Sequence, residues 1–137
     1  KKLSLFSQRR KEIVEKYNKA FEDMPEIFVQ KEIPQSETTR HLYILRLNLD
    51  RLNCDRRQFF DALWAENICP QVHYLPVYWH SYYENMGYVK GLCPNAEAYY
   101  NEVMSIPLYY SLTDDDVEDV VCAVKKVVDY YRKQDTI

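Results

Sequence analysis

From residue 2 to residue 22 apolar side chains recur at three- and four-residue steps (Leu3, Phe6, Ile13, Val14, Tyr17 and Phe21), with Arg, Lys and Glu between them. This spacing predicts an amphipathic helix that ends at Pro25. A short apolar run at 27–29 leads to a polar stretch at 35–40. The next segment, HLYILRLN at 41–48, is dense in branched and aromatic side chains and predicts a strand buried largely on both faces. Helical spacing returns at 55–67 through Phe59, Phe60, Leu63 and Trp64. Asn53 or Asp55 is placed to cap its start, and Asn67 suits the left-handed conformation at its end. Gln71 to Tyr74 predicts a second strand, stopped by Pro76, which has no ladder donor. A tyrosine-rich loop follows. Pro94 suits the first turn of a third helix reaching about Val103, and SIPLYYSL at 105–112 reads as an extended piece interrupted by Pro107. Thr113 with Asp116 has the pattern of a capping box, and Asp114 to Asp116 favour the positive end of a helix. Val117, Val120, Val121, Val124, Val128 and Tyr131 then form the stripe of a last helix.

This alternation of helices and strands predicts an α+β fold, a two-layer sandwich in which helices pack on a small, mostly antiparallel sheet. At 137 residues the chain suits a single domain, 1–137, able to bury about two-thirds of its unfolded surface. The first helix, 1–24, reads as a connection from something upstream.

Composition narrows the function by exclusion. Hydrophobic content of 47% and charged content of 28% are ordinary for a globular domain, and no apolar run approaches the ~18 residues of a membrane span. The opening KKLSLF has no signal-peptide pattern, so a cytoplasmic location is expected. A net charge of −3 argues against nucleic acid as a partner, because phosphate binders carry clustered excess Lys and Arg. The pairs Arg9-Arg10, Arg56-Arg57 and Lys125-Lys126 are diluted by acids and read as solvated helix faces. Four widely spaced cysteines without a C-x-x-C pair give no support to a zinc ribbon or a thioredoxin-like site. Free, buried thiols are expected instead. With two glycines in the whole chain, neither of the glycine-rich phosphate-binding motifs occurs.

One run stands out chemically. Residues 71–83, QVHYLPVYWHSYY, place two histidines, a tryptophan and four tyrosines around one proline with no formal charge among them besides the imidazoles. His73 and His80 lack an acid at ligand spacing, so no metal is expected. Cys69 and His73 stand four apart, about 13 Å along a strand, too far to act as nucleophile and base. Aromatic rings with polar tips, by contrast, cover the flat apolar faces of sugars and bases while the OH or NH fixes orientation. Tyr74, Tyr78, Trp79, Tyr82 and Tyr83 therefore suit a ligand wall, with core packing as the plain alternative. His41 and Arg46 read as structural, Arg46 pairing with a carboxylate. The pairs 99-100, 109-110 and 130-131 each put one tyrosine inward and one outward.

The run VHYLPVYWHSYY, then GLCPNAEAYY, then SIPLYYSLTDDD, together with HLYILRLN and the helix QRRKEIVEKYNKAF, resembles the C-terminal small domain of the DegT/DnrJ/StrS group of PLP-dependent nucleotide-sugar aminotransferases. Within that group it is most similar to the transaminases that aminate C4 of a UDP-linked 4-keto-6-deoxy sugar in pseudaminic acid synthesis. Their pattern His-Tyr-x-Pro-Val-His followed by Gln-Pro-Tyr-Tyr stands here as His73, Tyr74, Pro76, Val77, then Tyr82 and Tyr83; Tyr78, His80 and Ser81 depart from it. The resemblance implies pyridoxal phosphate in the full-length enzyme and none on this segment. The Schiff-base lysine and the aspartate on the pyridine nitrogen belong to a large N-terminal domain, and no Ser-Phe-His-x-x-Lys motif occurs here. It further implies a nucleotide-sugar substrate, glutamate as amino donor, a homodimer, and a role in surface polysaccharide or glycan synthesis. By position, Gln71, Val72, His73 and Tyr74 would line the substrate pocket, with Tyr78, His80 and Tyr83 flanking it. Their expected work is binding and orientation, so no catalytic residue is assigned. Two other classes stay open: a stand-alone carbohydrate- or nucleotide-binding module, and a structural or dimerisation domain.

Overall fold

The computed structural model describes residues 2–134. Its elements run α1 (Leu3–Phe21), β1 (Ile27–Phe28), β2 (Tyr43–Leu47), α2 (Arg56–Ala65), α3 (Ser81–Glu84), α4 (Pro94–Glu102), β3 (Val103–Ile106) and α5 (Asp114–Tyr131), with 3-10 turns at Leu49–Arg51 and Val77–Trp79. The strands form one antiparallel sheet in the order β1, β2, β3, with Ile27 opposite Leu47 and Tyr43 opposite Ile106. The α+β expectation holds.

β2 alternates instead of being buried on both faces as expected, because the helices of the core cover only one side of the sheet, and this sets the two layers. Tyr43, Leu45 and Leu47 are buried on one face while Ile44 and Arg46 turn to the other, as the two-residue period of a strand requires. The first set joins one core with Ile13, Val14, Tyr17 and Phe21 of α1, Phe59 and Leu63 of α2, and the valine stripe of α5. On the other face Arg46 Nε donates to Glu102 Oε2 of α4 at 2.6 Å, and the guanidinium lies 4.9 Å from the Phe28 ring centroid. The carboxylate expected for Arg46 is thus Glu102.

The end signals act as read. Asp55 accepts from the Gln58 amide at 2.8 Å while the Gln58 side chain accepts from the Asp55 amide at 2.9 Å. Thr113 and Asp116 make the same reciprocal pair at the start of α5. Such caps satisfy donors that the first helical turn leaves orphaned, and losing one costs about 1 kcal/mol. Asn67 stands at φ 63, the left-handed end expected after α2. Glu26, 3% exposed, accepts from Arg132 Nε at 2.7 Å, which ties the end of α5 to the start of the sheet. A pair like this adds little net stability, but loss of the arginine would strand a buried carboxylate.

Further expectations are corrected. Gln71 to Tyr74 is not a strand: Gln71 alone bridges to Ser105, because Pro70 and Pro76 remove donors on either side of a short run. The third strand begins at Val103, not Ser105, since α4 passes into it with no linker and the Val103 amide still bonds back to Tyr99. Residues 77–84, read as loop, hold the 3-10 turn and α3. Tyr109 and Tyr110 are both exposed because Pro107 ends the strand before them, whereas Tyr130 points out and Tyr131 packs partly on the core as expected.

The cysteines are free, but only Cys54 is even half-buried; Cys69, Cys93 and Cys122 sit at exposed positions. Burial, then Asp55, pushes the Cys54 thiol up to about 11. Because the thiolate is the reactive form, iodoacetamide at pH 8 should modify Cys69 and Cys93 before Cys54, which should react only once the chain unfolds. Peptide mapping by mass spectrometry checks this. Early labelling of Cys54 would contradict its packing.

Candidate functional site

After Pro70 the chain leaves the sheet through a single pair of backbone bonds, Gln71 to Ser105 at 3.0 Å and Ser105 to Gln71 at 2.7 Å. Two residues on, the His73 imidazole is half-buried, with Nε2 2.8 Å from the Ser105 hydroxyl and Nδ1 buried without a hydrogen-bond partner. Ser105, itself buried, thereby holds one ring nitrogen and fixes the plane of the ring. Tyr74 meets it edge-on, centroids 4.7 Å apart, and is 75% exposed. An imidazole braced from below and an open phenol thus stand at the margin of the sheet. Gln71 and Val72 lie beside them.

The second half of the run is organised differently. Tyr78 donates to Glu97 Oε1 at 2.5 Å and accepts from the Cys93 amide at 3.3 Å, and the Gly91 amide donates to the same Glu97 oxygen at 2.6 Å. Trp79 lies edge-on to Tyr100 at 5.5 Å with the Lys90 ammonium 4.6 Å from its ring centroid, and Arg56 stacks 4.8 Å over Tyr100. The Glu97 carboxyl is held below its usual range, first by the Tyr78 hydroxyl and then by the Gly91 amide, the Trp79 indole and the Lys90 charge, with desolvation opposing. The Trp79 Nε1 stops short of a full hydrogen bond and is otherwise buried. Desolvation first, then Glu97, raises the Tyr78 phenol. His80 is exposed and its carbonyl accepts from the Tyr83 and Glu84 amides of α3, while Tyr83 stands edge-on to both Tyr82 and Tyr88.

The seven residues named from sequence therefore fall into two groups. Gln71, Val72, His73 and Tyr74 share the sheet margin. Tyr78, His80 and Tyr83 belong to the turn and α3, and the Tyr78 hydroxyl is already committed to Glu97. Cys69 and His73 form no nucleophile–base contact. The run makes an open wall rather than an enclosed pocket. Concavities lie away from it, such as one of about 270 Å³ lined by Asn18, Arg40, Tyr43 and neighbours. Around the wall, Tyr74, Val77, Tyr82, Met86, Val89 and Leu92 remain exposed.

Glu97, Ser105, Lys90 and Tyr100 were not found by sequence reading. Glu97 is 19 residues from Tyr78, and only the return of α4 brings them together. For Ser105 one signal existed: a small hydroxyl among apolar strand residues, a common partner for a buried polar group.

Three comparisons bear on this wall. Residues 1–125 match the model of the DegT/DnrJ/EryC1/StrS aminotransferase family. The chain is 37% identical over 130 residues to the spore coat polysaccharide biosynthesis protein SpsC of Bacillus subtilis, covering 93% of this chain and 33% of that protein. It is 30% identical over 134 residues to a UDP-4-amino-4,6-dideoxy-N-acetyl-beta-L-altrosamine transaminase of Campylobacter jejuni, covering 97% and 35%. Among solved structures, Helicobacter pylori PseC, an aminotransferase involved in the biosynthesis of pseudoaminic acid, superposes with a TM-score of 0.85 at 24% identity over 94% of this chain and 34% of that one, a likeness of fold. The chain spans about a third of the length of the curated relatives it matches.

Proposed function

Because the chain belongs to the DegT/DnrJ/EryC1/StrS aminotransferase family, we propose that residues 1–137 are the C-terminal small domain of a pyridoxal-phosphate-dependent nucleotide-sugar aminotransferase. The proposed reaction moves an amino group from an amino acid, glutamate the expected donor, to C4 of a UDP-linked 4-keto-6-deoxy sugar. The observation that carries this reading is the open wall from Gln71 to Tyr83, in a chain about a third as long as relatives named for polysaccharide biosynthesis and for an amino-sugar transaminase. A half-site with braced polar groups and exposed rings is what a small domain would bring to a cleft completed by another.

The residues of this chain do not themselves fit the cofactor. Every lysine among the described residues is exposed, so none is enclosed where a Schiff base would be shielded from water. The group would supply the electron sink when bound, and in this reading the N-terminal domain of the same protein holds it. The part left to this chain is binding and orientation. His73 has its ring plane set by Ser105, and its Nδ1 is a buried polar atom that finds no hydrogen-bond partner within the described residues. Tyr74 offers a ring face and a hydroxyl. Tyr83 and His80 stand at the flank, and the apolar side chains from Val77 to Leu92 are the surface that docks on the N-terminal domain and excludes water. Leu3 and Leu5 of α1 are exposed while its second half is in the core, which suits a helix that enters from a preceding domain. A homodimer and a cytoplasmic location complete the proposal.

The test is reconstitution. The full-length polypeptide with pyridoxal phosphate, a UDP-4-keto-6-deoxy sugar and glutamate should yield the 4-amino sugar and 2-oxoglutarate by mass spectrometry. A protein that carries the cofactor yet transfers no amino group to any nucleotide sugar would rule the reaction out. The exposure of Tyr74 and Tyr82 favours one second reading, a binding module without catalysis. Saturable binding of UDP-sugars to residues 1–137 alone would support that one.

A further inference from the structure

We propose that Glu97 is a positioning residue: its carboxylate is the clasp that fixes the 77–91 segment on α4 and so sets where the aromatic wall stands relative to the sugar nucleotide. The proposal rests on the reading of this segment as a substrate wall.

The argument begins with what fails to hold the segment. Between residues 71 and 93 no side chain is fully buried, so its position does not come from the hydrophobic core. Among the described residues its backbone pairs with the sheet at Gln71 and its side chains reach the sheet through His73 on Ser105, both before residue 77. Both glycines of the chain, Gly87 and Gly91, stand here at φ +92 with open space around them, a conformation that frees the backbone to turn but does not anchor it. A segment of this kind is placed by a few directional contacts, and two of them, from its two ends, meet on one oxygen. Glu97 Oε1 accepts from the Tyr78 hydroxyl at one end of the segment and from the Gly91 amide at the other. Residues 78 and 91 are thereby closed into a loop across a single carboxylate. An ionised acceptor makes such bonds shorter and stronger than neutral ones.

The clasp is itself well founded. Glu97 is in the first turn of α4, where a negative charge is favoured by the helix dipole. Through Glu102 and Arg46 the helix is tied to β2, the central strand. Trp79, between Tyr100 and Lys90, adds an aromatic seat next to the Tyr78 contact. The order of support runs from sheet to α4, to Glu97, to Tyr78 and Gly91, and from there to Tyr82 and Tyr83 on α3. Glu97 touches no reacting atom in this scheme. It acts through the tyrosines it places.

Trypsin cleavage after Lys90, which lies inside the clasped loop, reads the clasp directly. Glu97→Ala in residues 1–137 should speed that cut by about 10-fold, while in the full-length enzyme it should raise KM for the nucleotide sugar about 10-fold and leave kcat within about 2-fold, the signature of lost positioning. Glu97→Gln keeps an acceptor oxygen and should recover most of both effects. Tyr78→Phe, which removes one of the two bonds, should fall between. If Glu97→Ala does not fold, Glu97→Gln and Tyr78→Phe carry the test on the same readouts. Wild-type cleavage and KM in these variants overturn the clasp, and faster cleavage with unchanged KM overturns its role in placing the wall. A full-length protein inactive on every nucleotide sugar overturns the functional reading instead, and the cleavage rates still decide the clasp.

Discussion

Tyr17→Ala should lower the stability of the domain by about 3–5 kcal/mol, the range for removing a fully buried aromatic ring. Tyr17 is 0% exposed and packs against Phe21 and Tyr43, at 6.0 and 5.0 Å between ring centroids. Its hydroxyl donates to the Pro107 carbonyl at 2.9 Å, just beyond β3. Against a total stability of roughly 5–15 kcal/mol for a domain, such a loss leaves little, and the thermal midpoint should fall by roughly 10–25 °C. Tyr17→Phe keeps the ring and loses only the hydrogen bond, at a cost of about 1–3 kcal/mol with the Pro107 carbonyl left unpaired. Calorimetry of both variants separates packing from hydrogen bonding, and near-equal losses would contradict the ring's place in the core.

The same residue gives the domain an alkaline limit. Burial drives the phenols of Tyr17 and Tyr43 far above the ordinary range. A raised folded pKa means the native state holds its proton where the unfolded state releases it. The contribution is complete below the ordinary phenol value of about 10 and is lost as pH rises above it, by up to about 1.4 kcal/mol per pH unit and group. In a tyrosinate titration these two phenols should ionise only as the chain unfolds.

For activity the largest effect is expected at His73. In the full-length enzyme His73→Ala should reduce kcat/KM about 10–100-fold, mostly through KM, because a misplaced or missing orienting group costs on that scale without entering the chemistry. Tyr74→Ala should act in the same direction and, being largely exposed, should cost the fold little. Ser105→Ala separates contact from orientation. It leaves the imidazole in place and removes the hydroxyl 2.8 Å from Nε2, so a rise in KM there would show that the ring plane matters. Wild-type kcat/KM in His73→Ala and Tyr74→Ala would instead favour a packing or dimerisation role for this face.

Much of this architecture was written locally. The apolar stripes of α1 and α5, the caps at Asp55 and Thr113 and the left-handed Asn67 depend on neighbours within about one turn, so spacing alone specifies them. The aromatic run and its flanking motifs also pointed to the family, since their order survives without coordinates. What the chain order could not supply was anything decided by two segments far apart meeting. Gln71 to Tyr74 had the composition of a strand, yet a strand exists only where a partner accepts its ladder, and β3 pairs with a single residue there. Tyr78 and His73 read alike as site residues, until Glu97 and Ser105 arrived from α4 and β3 to occupy the hydroxyl of one and brace the ring of the other. Periodicity carries the burial of a face, because that is a property of one segment; the partner of a polar atom is a property of the packed whole, and only the tertiary structure assigned it.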